Sequence, residues 1–231
     1  DLDADHIVRG PYDQMLARVK EETEKLLAMM TDEFGMDHKT IELVFSGGRG
    51  YHVHVKDIAF RGWGSAERRE LIDYICGIGI DPPAMLAGKP SAAPGWPKRY
   101  REALTEYLGW IGTLPEPEAI AHLTAIEGIG KDSAATLLKK REEILAEIVR
   151  HPTSMILKIR ALGIIVAQPE GEFRKRLLSR AALADEPVTT DTKRLIRMPT
   201  SLHGGSGMRV QPLELRELHD FDPLTDAVIF G

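Results

Sequence analysis

The chain has 231 residues, 43% of them apolar, enough to bury one large core or two small ones. Its formal charge of −5 excludes a global basic field, so any contact with nucleic acid has to come from local clusters. Cys76 is the only cysteine, which excludes a disulfide framework and a cysteine-rich zinc site, and no stretch reads as a membrane span or signal peptide. A cytoplasmic protein is the expectation.

The chain opens on "DLDADH" and stops at "DAVIFG", inside an apolar run. Domains usually end in polar residues, so the sequence reads as a fragment that lacks chain on both sides. At i and i+2, Asp1 and Asp3 fall on one face of a strand, where their repulsion favours a cation between them. Oxygen-only donors suit magnesium or manganese. An acidic, solvated chain end is the plainer reading, and a phosphatase that uses Asp1 as nucleophile is another. Residues 12–34, "YDQMLARVKEETEKLLAMMTDEF", carry apolar side chains at helical spacing, and Gly35 supplies a stop.

The runs Ile41–Phe45 and Tyr51–Val55 predict two strands joined by "SGGRG". Such a loop can hold an anion, because glycine amides approach it closely, Ser46 can donate and Arg49 can bind bidentately. His52 and His54 share one face of their strand. An ordinary hairpin turn with an exposed arginine, beside a hydrogen-bonded core histidine, remains open. From Ser65, "SAERRELIDYICGI" predicts a serine-capped helix, and the proline-rich stretch 81–97 predicts a linker. "KRYREALTEYLGWI", "PEAIAHLTAI", "KDSAATLLKKREEILAEIV" and "TSMILKIRAL" then predict a helical block. Within it "LTAIEGIGKDSAATLLKKR" looks like a helix-hairpin-helix, whose second helix can meet a phosphate, or else an ordinary helix connection.

Residues 185–231 return to short β-like runs. Asp185, Glu186 and Asp191 offer metal ligands there, Lys193, Arg194 and Arg197 offer phosphate contacts, and His203 precedes a glycine loop. The whole reads as an α+β domain in two parts, 1–64 and 181–231, interrupted by a helical insertion at 65–180.

Taken in order, "DLDADH", "FSGGRGYHVHV" and "DEPVTTDTKRLIRMPTSLHGGSG" closely resemble the small, catalytic subunit of archaeal–eukaryotic DNA primases, the archaeal type most of all. The resemblance implies a nucleotidyltransferase that makes short primers de novo on single-stranded DNA from nucleoside triphosphates. It implies that Asp1, Asp3 and Asp185, rather than Asp191, hold two magnesium or manganese ions. It further implies that Ser46, Arg49, His52, Arg197 and His203 hold the incoming nucleotide, and that a large primase subunit is the partner.

Residues 6–15 lack the cysteines that many archaeal members carry, so no zinc is expected, and Gly205 stands where many have a lysine. Template contact is expected through "KRYR" at 98–101 and "KKR" at 139–141. The chain on its own is expected to be weak or inactive. A non-catalytic single-stranded nucleic-acid-binding module and a metal-dependent phosphatase are the competing readings.

Overall fold

The computed structural model describes residues 1–87, 94–150 and 159–229. In chain order its elements are β1 (Leu2–Asp3), α1 (Ala4–Ile7), α2 (Tyr12–Asp32), β2 (Ile41–Phe45), β3 (Gly50–Val55), α3 (Ser65–Cys76), α4 (Pro82–Ala87), α5 (Trp96–Ile111), α6 (Glu116–Thr124), α7 (Lys131–Arg150), α8 (Arg160–Ala167), α9 (Glu172–Leu178), α10 (Glu186–Thr190), β4 (Gln211–Leu213) and α11 (Pro223–Asp226). This mixture of helices with one small antiparallel sheet is the α+β class expected from the sequence. Two units divide the chain: Asp1–Ile78 with Ala181–Gly231, and Gly79–Arg180.

The first unit is organised by the β2–β3 hairpin, which pairs antiparallel with Leu43 opposite Val53 and Val44 opposite His52. On the far side of β3, β1 adds with Leu2 opposite Tyr51 and Asp3 opposite Gly50, and β4 adds to β2, giving the order β1-β3-β2-β4. Gly50 is dictated by this pairing: a Cβ there would lie 1.9 Å from the Leu2 carbonyl oxygen. α2 contributes Leu16, Val19, Leu26 and Met30 to the core formed with Leu2, Leu43, Phe45 and Tyr51. This is the helical spacing legible in its sequence. Between those apolar positions Glu22 is fully buried, held by Arg18 at 2.6 Å, Lys25 at 2.8 Å and the Leu183 amide at 3.0 Å.

Three expectations change. α3, which the sequence grouped with the helical block, lies in the first unit. Its Ile72 and Ile75 enter that core, and the Ala182 amide donates to the Ile75 carbonyl at 3.1 Å. It is also capped one residue earlier than Ser65, by the Glu67 carboxylate accepting from the Gly64 amide at 2.9 Å. Finally, of the β-like runs expected after residue 185, the described residues form only β4 and the bridge between Leu202 and Arg209. Capping chemistry prevails over β-propensity here. Asp185 and Asp222 accept from amides of the next turn, and a proline follows each within two residues, the pattern that starts helices.

The second unit is helical. α5 buries Tyr100, Leu104, Tyr107, Leu108 and Ile111; α9 buries Phe173 and Leu177; α8 buries Leu162 and Ile165. The expected linker at 81–97 is partly helical, because Pro82 and Pro97 sit in the first turns of α4 and α5, where no amide is needed. Residues 153–158 of the expected helix "TSMILKIRAL" lie outside the described residues. α6 and α7 form the hairpin at 123–141, with Gly128 at φ +90° and Leu123, Ile129, Ala134 and Leu137 buried. Among the described residues, no helix is long and apolar enough to cross a membrane.

Candidate active site

The two ends of the first unit meet through the backbone: the Asp185 amide donates to the Asp1 carbonyl at 2.8 Å. Asp185 is buried, caps α10 by accepting from the Val188 amide at 3.2 Å, and holds its second oxygen 3.4 Å from His6 Nε2. No lysine or arginine side chain pairs with it among the described residues; its charge faces the His6 imidazole, amides and the Asp1 terminal amino group. Asp1 Oδ1 lies 3.2 Å from His52 Nε2, and Asp3 caps α1 by accepting from the Asp5 amide at 3.0 Å. Asp191 is exposed, and its Oδ1 accepts from the Lys193 amide at 2.9 Å, which shapes a turn.

Beside the acidic groups opens a cavity of about 420 Å³, lined by Asp3, Tyr12, Arg49, Arg197, His203 and Ser206 among others. Arg49 pairs with Asp5, both about half exposed. The 46–50 loop is built from within. Ser46, only 4% exposed, accepts from the Gly48 amide at 3.3 Å and the Gly50 amide at 3.2 Å. Ser46 therefore sits beneath the loop, and those two amides turn inward. Gly47, at φ +74°, is pressed against the loop that carries His203, and a Cβ there would stand 2.8 Å from His203 Cβ.

Ser206 links the two loops. Its hydroxyl donates to the Gly47 carbonyl and its amide donates to His203 Nδ1 at 3.1 Å. With Nδ1 accepting, the neutral imidazole carries its proton on Nε2, the nitrogen nearest Gly48. Desolvation and then the Arg197 and Arg49 charges push His203 below the usual histidine range, against an opposing pull from Asp3. His52 is pushed down further, to about 4, first by burial and then by neighbouring positive groups that include Arg197. Both rings are therefore neutral at pH 7.

A model of the DNA primase small subunit family matches residues 1–215. The chain belongs to that family. It is 71% identical over 231 residues to the DNA primase small subunit PriS of Methanoregula boonei, 53% identical to that of Methanosphaerula palustris, and 50% identical over 233 residues to that of Methanocorpusculum labreanum. Each alignment covers 100% of this chain, whereas the chain spans only 60–61% of the length of these curated relatives.

For this primase-family chain, the expected residues therefore divide. Asp3, Arg49, Arg197 and His203 line one cavity. Asp1 and Asp185 join through the backbone beside it, His52 is partly buried against Asp1, and Ser46 supports the loop. Sequence reasoning missed Asp5, His6, Ser206 and Tyr12, whose hydroxyl donates to the Gly48 carbonyl at 2.6 Å. Asp5 and His6 lay within the acidic motif, and Ser206 within the glycine loop. Tyr12 carried no signal at all, because its role exists only once α2 packs against the hairpin.

Proposed function

We propose that this chain carries the nucleotide-joining centre of a primase catalytic subunit, which makes primers de novo on single-stranded DNA from nucleoside triphosphates. The observation that supports this most is the juxtaposition of Asp1 with Asp185, from opposite ends of the unit, beside a cavity where Asp3 faces Arg49, Arg197 and His203. Acidic and cationic groups on one cavity wall suit a triphosphate carried with divalent cations. A simple phosphatase leaves two arginines and the glycine loop without a task, and a non-catalytic module gives no task to the meeting of three aspartates beside a cationic cavity, although Asp185 also caps α10.

Asp1, Asp3 and Asp185 fit magnesium or manganese by donor type, since all are carboxylates and, among the described residues, no lysine or arginine pairs with Asp185. Among the described residues no three such side chains yet converge as a ligand cluster. Each carboxylate instead faces an imidazole or amide, a weak partner that a cation can displace. Bound cations would activate the attacking 3′-hydroxyl and stabilise the departing pyrophosphate. Arg49 and Arg197 hold the polyphosphate, and the His203 Nε2–H donates to one of its oxygens. Ser46 and Ser206 keep the two loops in register. Family membership supports the wider reading of a cytoplasmic nucleotidyltransferase that works with a large primase subunit.

Titration with a fluorescent nucleoside triphosphate tests this reading. Affinity should require manganese and be abolished by EDTA. Asp185→Asn should remove the manganese dependence, and Arg49→Ala should weaken binding at least tenfold. In the full-length protein, Asp185→Asn should abolish primer synthesis. Manganese-dependent binding that survives Asp185→Asn unchanged would overturn the proposal.

A further inference from the structure

The ribbon between α10 and β4 presents Lys193, Arg194, Leu195, Ile196, Arg197 and Met198 in one exposed run, with Leu195 94% and Met198 69% exposed. Its ends are pinned. The Lys193 amide donates to Asp191 Oδ1 at 2.9 Å, and the Thr200 amide donates to the Val210 carbonyl at 2.8 Å. Among the described residues, Lys193, Arg194 and Arg197 have no ion-pair partner. Arg18, Lys25, Lys56 and Arg69 of this unit each pair with a glutamate, whereas Arg9, Lys39 and Arg61 share the lack of an ion pair among the described residues but stand apart from one another in the sequence.

The run also crosses the acidic centre. Arg197 lines the cavity that includes Asp3, whereas its neighbour Ile196 lines a separate, mostly apolar cavity that includes Asp1. Lys193 and Arg194 line neither, so they are not part of the triphosphate pocket. In a chain of net charge −5, three unpaired cations interleaved with large apolar side chains are a local feature with a specific match. Single-stranded nucleic acid offers closely spaced phosphates together with apolar base faces.

We propose that Lys193–Met198 is the surface along which a single strand runs past the acidic centre. Lys193 and Arg194 contact backbone phosphates, and Leu195 and Met198 pack against bases. This rests on the nucleotide-joining reading and names where its strand lies. In the basic runs expected to serve that purpose in the second unit, Lys98 and Arg141 are engaged, while Lys139 and Lys140 are exposed but have no large apolar side chains interleaved with them. Lys98 stands 4.0 Å from Glu102, and Arg141 pairs with Glu142 while lying against Gly112.

The test is fluorescence anisotropy of a labelled short oligothymidylate over a series of potassium chloride concentrations. The double variant Lys193→Ala/Arg194→Ala should bind about tenfold more weakly. Its slope of log affinity against log salt should be shallower by about 1.4, from about 0.7 per phosphate contact on a single strand. Leu195→Ala should cost about threefold with the slope unchanged. Lys139→Ala/Lys140→Ala, in the second unit, should match the parent.

A parent chain that does not bind the oligonucleotide, or a Lys193/Arg194 variant with parental affinity and slope, overturns the proposal. So does a Leu195→Ala variant that changes oligomeric state and leaves DNA affinity alone. Manganese-dependent triphosphate binding, measured in parallel, separates the two readings. If it persists while the ribbon variants behave as parent, only the strand path fails. If it is lacking in the parent while the ribbon variants lose oligonucleotide affinity, the joining chemistry fails and a strand-binding surface remains.

Discussion

The arginines at the cavity of the first unit and those beside α5 in the second are treated differently, although Arg18 of the first unit also serves the fold by holding buried Glu22. In the second, Arg176 stacks over Trp110 at 4.7 Å and approaches Glu106 at 3.4 Å, while Arg180 reaches Glu106 at 3.0 Å and Glu102 at 3.6 Å. These guanidinium groups lie mostly covered and tie α9 to α5, so their charge serves the fold. In the first unit, among the described residues, Arg197 has no acidic partner and Arg49 pairs with the half-exposed Asp5. Charge kept in water with weak partners is charge available to a ligand. Position in the fold, rather than the number of basic residues in a run, decides which of the two applies.

The comparison breaks most severely at Gly50. Any side chain there must displace the Leu2 carbonyl from 1.9 Å, which undoes the pairing that brings Asp1 and Asp3 to the hairpin. Gly50→Val should cost about 3 kcal/mol or more, as for large overpacking against backbone, and should lower the denaturation midpoint accordingly. A variant as stable as the parent would show that β1 does not lie where the register places it.

Arg176→Ala should come next. It removes a mostly buried guanidinium from Trp110 and from two partly exposed glutamates, Glu106 and Glu172. A loss of about 1–2 kcal/mol is expected, less than for a fully buried pair because the glutamates stay in water. Triphosphate affinity should not move. A drop in affinity together with stability would mean that the second unit's arginines are not purely structural.

What the sequence made legible follows the same division. The hairpin showed plainly because β-branched and aromatic residues alternate on either side of a glycine loop, and α2 because its apolar spacing has one period. The short helices α10 and α11 did not, since a capping aspartate and a proline outweigh local β-propensity over only four or five residues. Around the cavity, Arg49, Arg197 and His203 stood out by residue type beside glycines. Tyr12 and Ser206 depend on which carbonyl the fold brings to them, and no local pattern encodes that. Ser46 shows the converse: its hydroxyl looked ready for a phosphate, yet loop closure turns its oxygen toward two amides of its own turn.

The smallest effect on stability is also the one that most sharpens the comparison. The Arg49–Asp5 pair leaves about half of each side chain in water, so it is worth at most about 1 kcal/mol, and Asp5→Asn should barely shift the denaturation midpoint. The Asp5 amide that caps onto Asp3 is untouched by that change, so α1 should start as before. A bound polyphosphate, however, must draw the Arg49 guanidinium away from Asp5, and removing the carboxylate charge lifts that competition. Asp5→Asn should therefore tighten triphosphate binding a few-fold, most clearly at low salt, where the competing attraction is least screened. If Asp5→Asn instead weakened binding as much as Arg49→Ala, Asp5 would be positioning the guanidinium for the phosphates, and the pair would belong with the structural bridges of the second unit.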